Sequence, residues 1–205
     1  FATRQLADLG ARVIKIERPG VGDFARSYDA TVRGESSHFV WLNRSKESLT
    51  LDVKHPDARE VLHRLLDRTD VFVQNLAPGA TGRLALSAAT LRDAHPRLVV
   101  CEISGYGSSG PYRDRKAYDL LVQAEAGLLS ITGTADEPVK VGISVADIAA
   151  GMYAYSGILT ALLMRHRTGE GTLLEVSMLE ALGEWMAFPF YYGTYGGTPP
   201  PRSGA

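Results

Sequence analysis

The segment from Val141 to Met152 reads V-G-I-S-V-A-D-I-A-A-G-M, with a single carboxylate, Asp147, between an apolar strand-like run and the start of a long apolar helix. Two roles fit an acid in that place. Aspartate is a favoured helix N-cap, its side chain accepting from the free amides of the first turn. A carboxylate at a helix N-terminus is also held ionised by the helix dipole, which suits a nucleophile. Attack of a carboxylate on a thioester yields a mixed anhydride and divides an acyl transfer into easier steps. The small residues Ala146, Ala149, Ala150 and Gly151 would let a substrate approach closely. Spacing alone leaves cap and nucleophile both open.

A second group is basic. Arg18, Lys54, Arg83 and Lys116 each follow or flank an expected strand or the loop after one. Ligands of open α/β sheets bind outside the carboxyl ends of the strands, and separated cations there suit a ligand with spread phosphates. Each of them alone also fits a solvated surface charge. Gly105 to Gly110 matches G-x-G-x-x-G after a strand, but Pro111 and charged residues follow it in place of an apolar helix. It therefore reads as a turn and not as a nicotinamide-cofactor site. The five histidines, His38, His55, His63, His95 and His166, are scattered without ligand spacing, so no metal is expected.

The elements that must position these residues alternate in type. Phe1–Leu9 has a helical pattern ending at Gly10; Arg12–Glu17 alternates as a strand; residues 20–37 read as loop. Ser48–Val53 is a second strand, and Pro56 opens a helix whose Ala58, Val61, Leu62, Leu65 and Leu66 form one apolar face. Val71–Val73 is a short strand, followed by two short helices, the second capped by Ser87, and by the strand Leu98–Ile103. Tyr118–Leu129 is expected helical, Val139–Val145 extended, Asp147–Arg167 a long helix stopped by Gly169, Thr172–Val176 a strand and Met178–Phe190 helical. Strands alternating with helices imply an α/β, Rossmann-like, doubly wound and largely parallel sheet.

The chain has 205 residues, 45% hydrophobic and 22% charged, enough for one sizeable core. Its net charge of −1 gives no sign of a nucleic-acid surface. The single Cys101 excludes an internal disulfide framework and fits a reducing, cytoplasmic compartment. No apolar run approaches the length needed to span a membrane; the longest, Ile148–Met164, is interrupted by Gly151, Ser156 and Gly157 and reads as a buried helix. The start at Phe1 within a helical pattern and the stop after a Pro-rich turn are what a cut through a longer protein would leave.

Several segments together resemble family III CoA-transferases, the group that includes formyl-CoA transferase, carnitine CoA-transferase and α-methylacyl-CoA racemase. They are Gly10–Pro19, Leu51–Lys54, Asn75–Gly79 with Arg83, Ile103–Gly107, Lys116–Asp119, Val145–Asp147 with Gly151, and Arg167–Gly171. The resemblance runs over essentially the whole chain. It implies that Asp147 matches the catalytic aspartate, which forms an acyl anhydride and then an aspartyl-CoA thioester. It implies that Arg18, Leu51, Lys54, Asn75, Leu76, Ala77, Arg83, Arg115, Lys116, Ala117 and Tyr118 line the coenzyme A site. The cations would pair with its phosphates, and Leu51 and Leu76 would contact adenine.

The resemblance further implies an acyl-CoA and a small carboxylic acid as substrates, an intertwined homodimer, and members about twice this length. On that basis residues 1–190 are the N-terminal part of a CoA-binding large domain, and 191–205 begin a linker to a small domain. Racemases of the family place a histidine where this chain has Tyr118. A phenol titrating near pH 10 is a poor proton carrier at neutral pH, so the tyrosine favours CoA transfer over racemisation. Glu180–Met186, Tyr191-Tyr192 and Gly196–Arg202 are similar to transferases acting on C4–C5 dicarboxylic acids, such as the mesaconyl-CoA type. A racemase or isomerase, and a non-catalytic CoA-binding fragment, are the alternatives.

Overall fold

The computed structural model describes residues 1–202, so Ser203, Gly204 and Ala205 of the expected linker lie outside the described residues. Among the described residues five strands form, each at or within two residues of its expected limits except where noted: β1 (Ile14–Glu17), β2 (Glu47–Thr50), β3 (Val71–Gln74), β4 (Val99–Ser104) and β5 (Leu173–Ser177). Every ladder is parallel. β1 pairs with β2, Ile14 opposite Glu47, and β3-β4-β5 form a second sheet with Val71 opposite Val99 and Val100 opposite Leu173. The strand expected to reach Val53 ends at Thr50.

Strand periodicity distributes the core over two faces. Phe72, Val100 and Leu173 turn to one side, against Leu62 and Leu66 of α3 (Pro56–Leu66) and Leu91 of α5 (Ala88–Ala94). Val71, Val73, Cys101, Ile103 and Leu174 turn to the other, against Ala154 and Ile158 of α7 (Val145–Thr168) and Ala2 of α1 (Ala2–Asp8). Helices thus cover both faces, the doubly wound arrangement expected for parallel strands. Ile16, Leu51 and Val53 join the α3–α5 cluster, so the β1–β2 pair shares a core with the larger sheet, although no ladder joins the two among the described residues.

Local signals explain the helix limits. Pro56 lies at the start of α3, and His55 caps it by accepting from the Asp57 amide. Ser87 accepts from the Thr90 amide and caps α5. Gly169, at φ +81°, closes α7 in the left-handed conformation that a side chain would resist. The loop between β1 and β2 contains a 3-10 turn, Phe24–Ser27, and then α2 (Ser37–Asn43), capped by Ser36. α4 (Ala80–Arg83) follows β3, and α6 (Asp119–Glu125) follows the long turn after β4. The helix expected over Met178–Phe190 is two, α8 (Met178–Trp185) and α9 (Ala187–Gly196), meeting at Met186.

Two further expectations fail. Val139–Val145 forms no strand: the main chain of Val141 is taken up by the side chain of the buried Gln123, which accepts from its amide at 2.9 Å and donates to its carbonyl at 3.4 Å. α7 is also longer than expected, and by length and composition it is apolar enough to cross a membrane. It packs against β4, β5, α1, α6 and α8, the placement of a core helix. Its far end is tied to the sheet by Arg165, which donates to Asp70 Oδ1 at 2.7 Å and to the Arg97 carbonyl at 3.0 Å.

Gly171 enters β5 so close to β4 that a Cβ there would sit 2.1 Å from the Leu98 carbonyl oxygen, whereas a Cβ on Gly142 would meet nothing within 4 Å. Gly171→Ala is expected to lower unfolding stability by about 1–3 kcal/mol. Gly142→Ala should stay within about 0.5 kcal/mol of the parent. Urea midpoints at unchanged slope check both; equal midpoints for the two variants contradict the packing argument.

Candidate active site

The carboxyl ends of the strands are built first from their own polar contacts. Glu17, last residue of β1, is buried and accepts from Arg26 Nε and Nη2, each at 2.9 Å, from the Asp23 amide at 2.9 Å and from Ser48 Oγ at 2.8 Å. The Arg26 guanidinium, aided by these other donors, holds its carboxyl down to about 2. This anchored turn leaves Arg18 exposed, its Nε donating to the Gly22 carbonyl at 2.8 Å.

The other expected contact residues occupy equivalent places. Leu51 and Lys54 follow β2, and Asn75, Leu76 and Ala77 follow β3. Arg83 ends α4 with its guanidinium folded toward Gly79, where a Cβ would lie 3.2 Å from Nη1. Arg115, Lys116, Ala117 and Tyr118 close the long loop after β4. Arg115 lies over the Tyr112 ring at 3.8 Å. Ala117 packs onto Gly105, where an added Cβ would come within 2.1 Å of the alanine's own. Arg18, Lys54, Arg83, Arg115 and Lys116 are all exposed, as is Leu76. Leu51 is different: it is half-buried against the α3–α5 cluster, so core packing takes much of its surface. The Gly105–Gly110 motif is a turn, as expected; the Gly107 amide donates to Ser104 Oγ at 3.0 Å and no helix opens at the last glycine. Two surface hollows, on α3 around Val61 and Arg68 and beside α5 around Arg92 and Glu170, include none of these residues.

Asp147 is not the N-cap. α7 begins at Val145 with Ser144 in the capping position, and Asp147 is the third residue of the helix. Ser144 makes no side-chain cap; the Ala146 amide instead donates to Asp119 Oδ1 at 2.8 Å, across from the start of α6. The neighbouring small residues do not face a substrate. Ala146, Ala149 and Ala150 are buried against Val122, Met178, Ala181 and Leu182, and Gly151 lies against Phe1, where a Cβ would meet the Phe1 Cβ at 2.9 Å. They are small because α6, α8 and α1 approach the helix closely. Asp147, on the remaining face, is exposed.

The electrostatics of Asp147 differ from what a helix dipole alone predicts. Burial by the surrounding protein, then the like charge of Asp119, raise its carboxyl above the ordinary value of 3.8. Solvent still reaches the side chain. Two residues at the site escaped the sequence reading. Asp119 stood in the Lys116–Asp119 segment, but nothing in the spacing links it to Ala146, 27 residues on. Tyr28 comes from the loop after β1; burial, Asp23, Asp147 and Tyr118 raise its phenol, which places it in the same electrostatic neighbourhood. Its signal in sequence is only an aromatic residue in a polar loop.

A carboxylate whose folded value exceeds its unfolded one costs stability when ionised. That cost is absent below the unfolded value and complete above the folded one. Asp147→Asn is therefore expected to melt higher than the parent at pH 7, with the difference vanishing below about pH 4. Paired melting curves across pH check this; a lower melting temperature at pH 7 contradicts it.

Comparison with known proteins gives the family. The profile of CoA-transferase family III matches residues 1–205. Among relatives, the succinyl-CoA:glutarate CoA-transferase of Mus musculus is 40% identical over 183 residues, 88% of this chain and 42% of the relative. The acetyl-CoA:oxalate CoA-transferase of Acetobacter aceti is 40% identical over 182 residues, 88% of this chain and 47% of that protein. Among solved structures, a CAIB/BAIF family protein from Brucella suis superposes with a TM-score of 0.92 at 34% identity, covering 99% of this chain and 55% of that one. The chain spans about half the length of the curated relatives it matches. With the match extending from first residue to last and the fold shared at this level, the chain belongs to CoA-transferase family III.

Proposed function

We propose that this chain carries the nucleophile and much of the coenzyme A site of an acyl-CoA:carboxylate CoA-transferase. The observation that carries the reading is Asp147: an exposed carboxylate in the first turn of α7, with Asp119, first residue of α6, bonded to the preceding amide and Tyr28, from the loop after β1, in the same electrostatic neighbourhood. A carboxylate with a raised proton affinity is, once ionised, the stronger nucleophile.

Asp147 attacks the thioester carbonyl, and CoA leaves as thiolate, giving a mixed anhydride. The thiolate then attacks the Asp147 carbonyl of that anhydride and releases the donor acid as carboxylate, leaving aspartyl-CoA. The acceptor carboxylate attacks this thioester, expelling thiolate and forming a second anhydride. Thiolate attack on the acceptor's carbonyl yields the new acyl-CoA and restores Asp147. No proton is gained or lost over the cycle. The exposed Arg18, Lys54, Arg83, Arg115 and Lys116 suit the phosphates of CoA, and Leu76 suits its adenine, with Leu51 offering only the edge that packing leaves.

The names of the relatives, with succinate, glutarate and oxalate among them, support a dicarboxylic acid as acceptor. Tyr118, exposed at the start of α6, supports transfer over racemisation. The intertwined homodimer and the division into a large-domain part, 1–190, and a linker beginning at 191 are part of the same proposal. The exposed Leu163, Met164, Phe188 and Phe190 support an apolar partner surface on α7 and α9.

Incubation of the full chain with acyl-CoA and hydroxylamine or borohydride, followed by peptide mapping, should place the adduct on Asp147. Asp147→Ala should lower transfer by roughly a thousandfold or more. An adduct on another residue, or full transfer by the alanine variant, refutes the assignment. Deuterium uptake at the α-carbon without acceptor acid would point to racemisation instead.

A further inference from the structure

The first turn of α7 is fixed from outside the helix. Asp119 uses both carboxylate oxygens: Oδ1 accepts from the Ala146 amide at 2.8 Å, and Oδ2 accepts from Gln123 Nε2 at 2.6 Å. Gln123, one turn along α6, is fully buried, and its Oε1 accepts from the Val141 amide at 2.9 Å. One carboxylate–amide pair on α6 therefore grips the segment 141–146 at both ends. Without it the Ala146 amide is one of the unpaired donors that every helix start presents, and Ser144 supplies no side-chain substitute.

We propose that Asp119 is the positioning residue for the Asp147 nucleophile, clamping the α7 start through the Ala146 amide. This rests on the reading of Asp147 given above. Asp147 follows Ala146 directly, so the clamp fixes the main chain from which the nucleophile extends; displacement of a reacting group by about 1 Å can cost on the order of a hundredfold in rate. The charged and titratable groups in the neighbourhood include Asp119 and the phenols of Tyr28 and Tyr118. Of these Asp119 alone both bonds to the helix start and raises the proton affinity of Asp147.

Two variants of the full chain separate the clamp from the charge. Asp119→Ala removes both; kcat per trappable Asp147 should fall by roughly tenfold or more, with KM for acyl-CoA changed less than about twofold. Amide exchange at Ala146 should quicken. Asp119→Asn keeps an oxygen for the Ala146 amide but loses the charge and turns an amide toward Gln123. It should melt lower, retain kcat within about threefold at pH 8, and move the acid limb of the rate profile to lower pH. Unchanged kcat per site in Asp119→Ala overturns the proposal. So does an Asp119→Asn variant that loses as much rate as Asp119→Ala with an unmoved acid limb. If the parent traps nothing at Asp147, the transferase reading fails by that result alone, and exchange at Ala146 still decides whether the clamp exists.

Discussion

The close seating of α7 against its neighbours is the constraint on which the rest depends. Ala146, Ala149, Ala150, Ala154 and Ala161 present almost no side chain on the inner face of the helix, so β4, β5, α6 and α8 can all approach it. Larger residues there would force backbone shifts, because a packed interior has no slack for added methylenes. The same approach brings α6 near enough for Asp119 to reach the Ala146 amide. The far end is held by the Arg165 contacts with Asp70 and Arg97. The helix is pinned at both ends and along one face, and only its outer face, with Asp147 on it, is left to solvent.

The charges around that helix have distinct physical roles. Glu17 is buried among donors, its carboxyl held near 2, so it is a fixed anion that shapes the turn after β1. Asp147 is shifted the other way, by burial and by Asp119, which leaves a more basic carboxylate on an accessible surface. Structural carboxylates are surrounded by donors; a nucleophile must keep its lone pairs free. The cations at the strand ends are exposed and lack the enclosure that would make them structural, which suits a diffuse polyanionic ligand better than a buried ion pair.

Much of the fold was legible in the sequence. The five strands followed from alternating apolar runs, α3 from its apolar face and Pro56, and the end of α7 from Gly169, all of them signals acting within a few residues. The failures were non-local. Val139–Val145 has the composition of a strand, yet its hydrogen bonds go to the side chain of Gln123, 18 residues away. The half-burial of Leu51 against the α3–α5 cluster is likewise set across the chain and is not legible from its place after β2.

The sequence by itself determined the class of fold, the order of its elements, the family resemblance, and Asp147 as the acid in question, since these rest on local periodicity and residue type. Tertiary structure alone decided what kind of acid it is. The cap role went to Asp119, because the parallel crossover from β4 to β5 carries α6 against the start of α7. The small residues went to helix packing, because three elements converge on one face. Asp147 was left exposed and more basic than an isolated aspartate, an outcome set by distances across the chain that no spacing along it records.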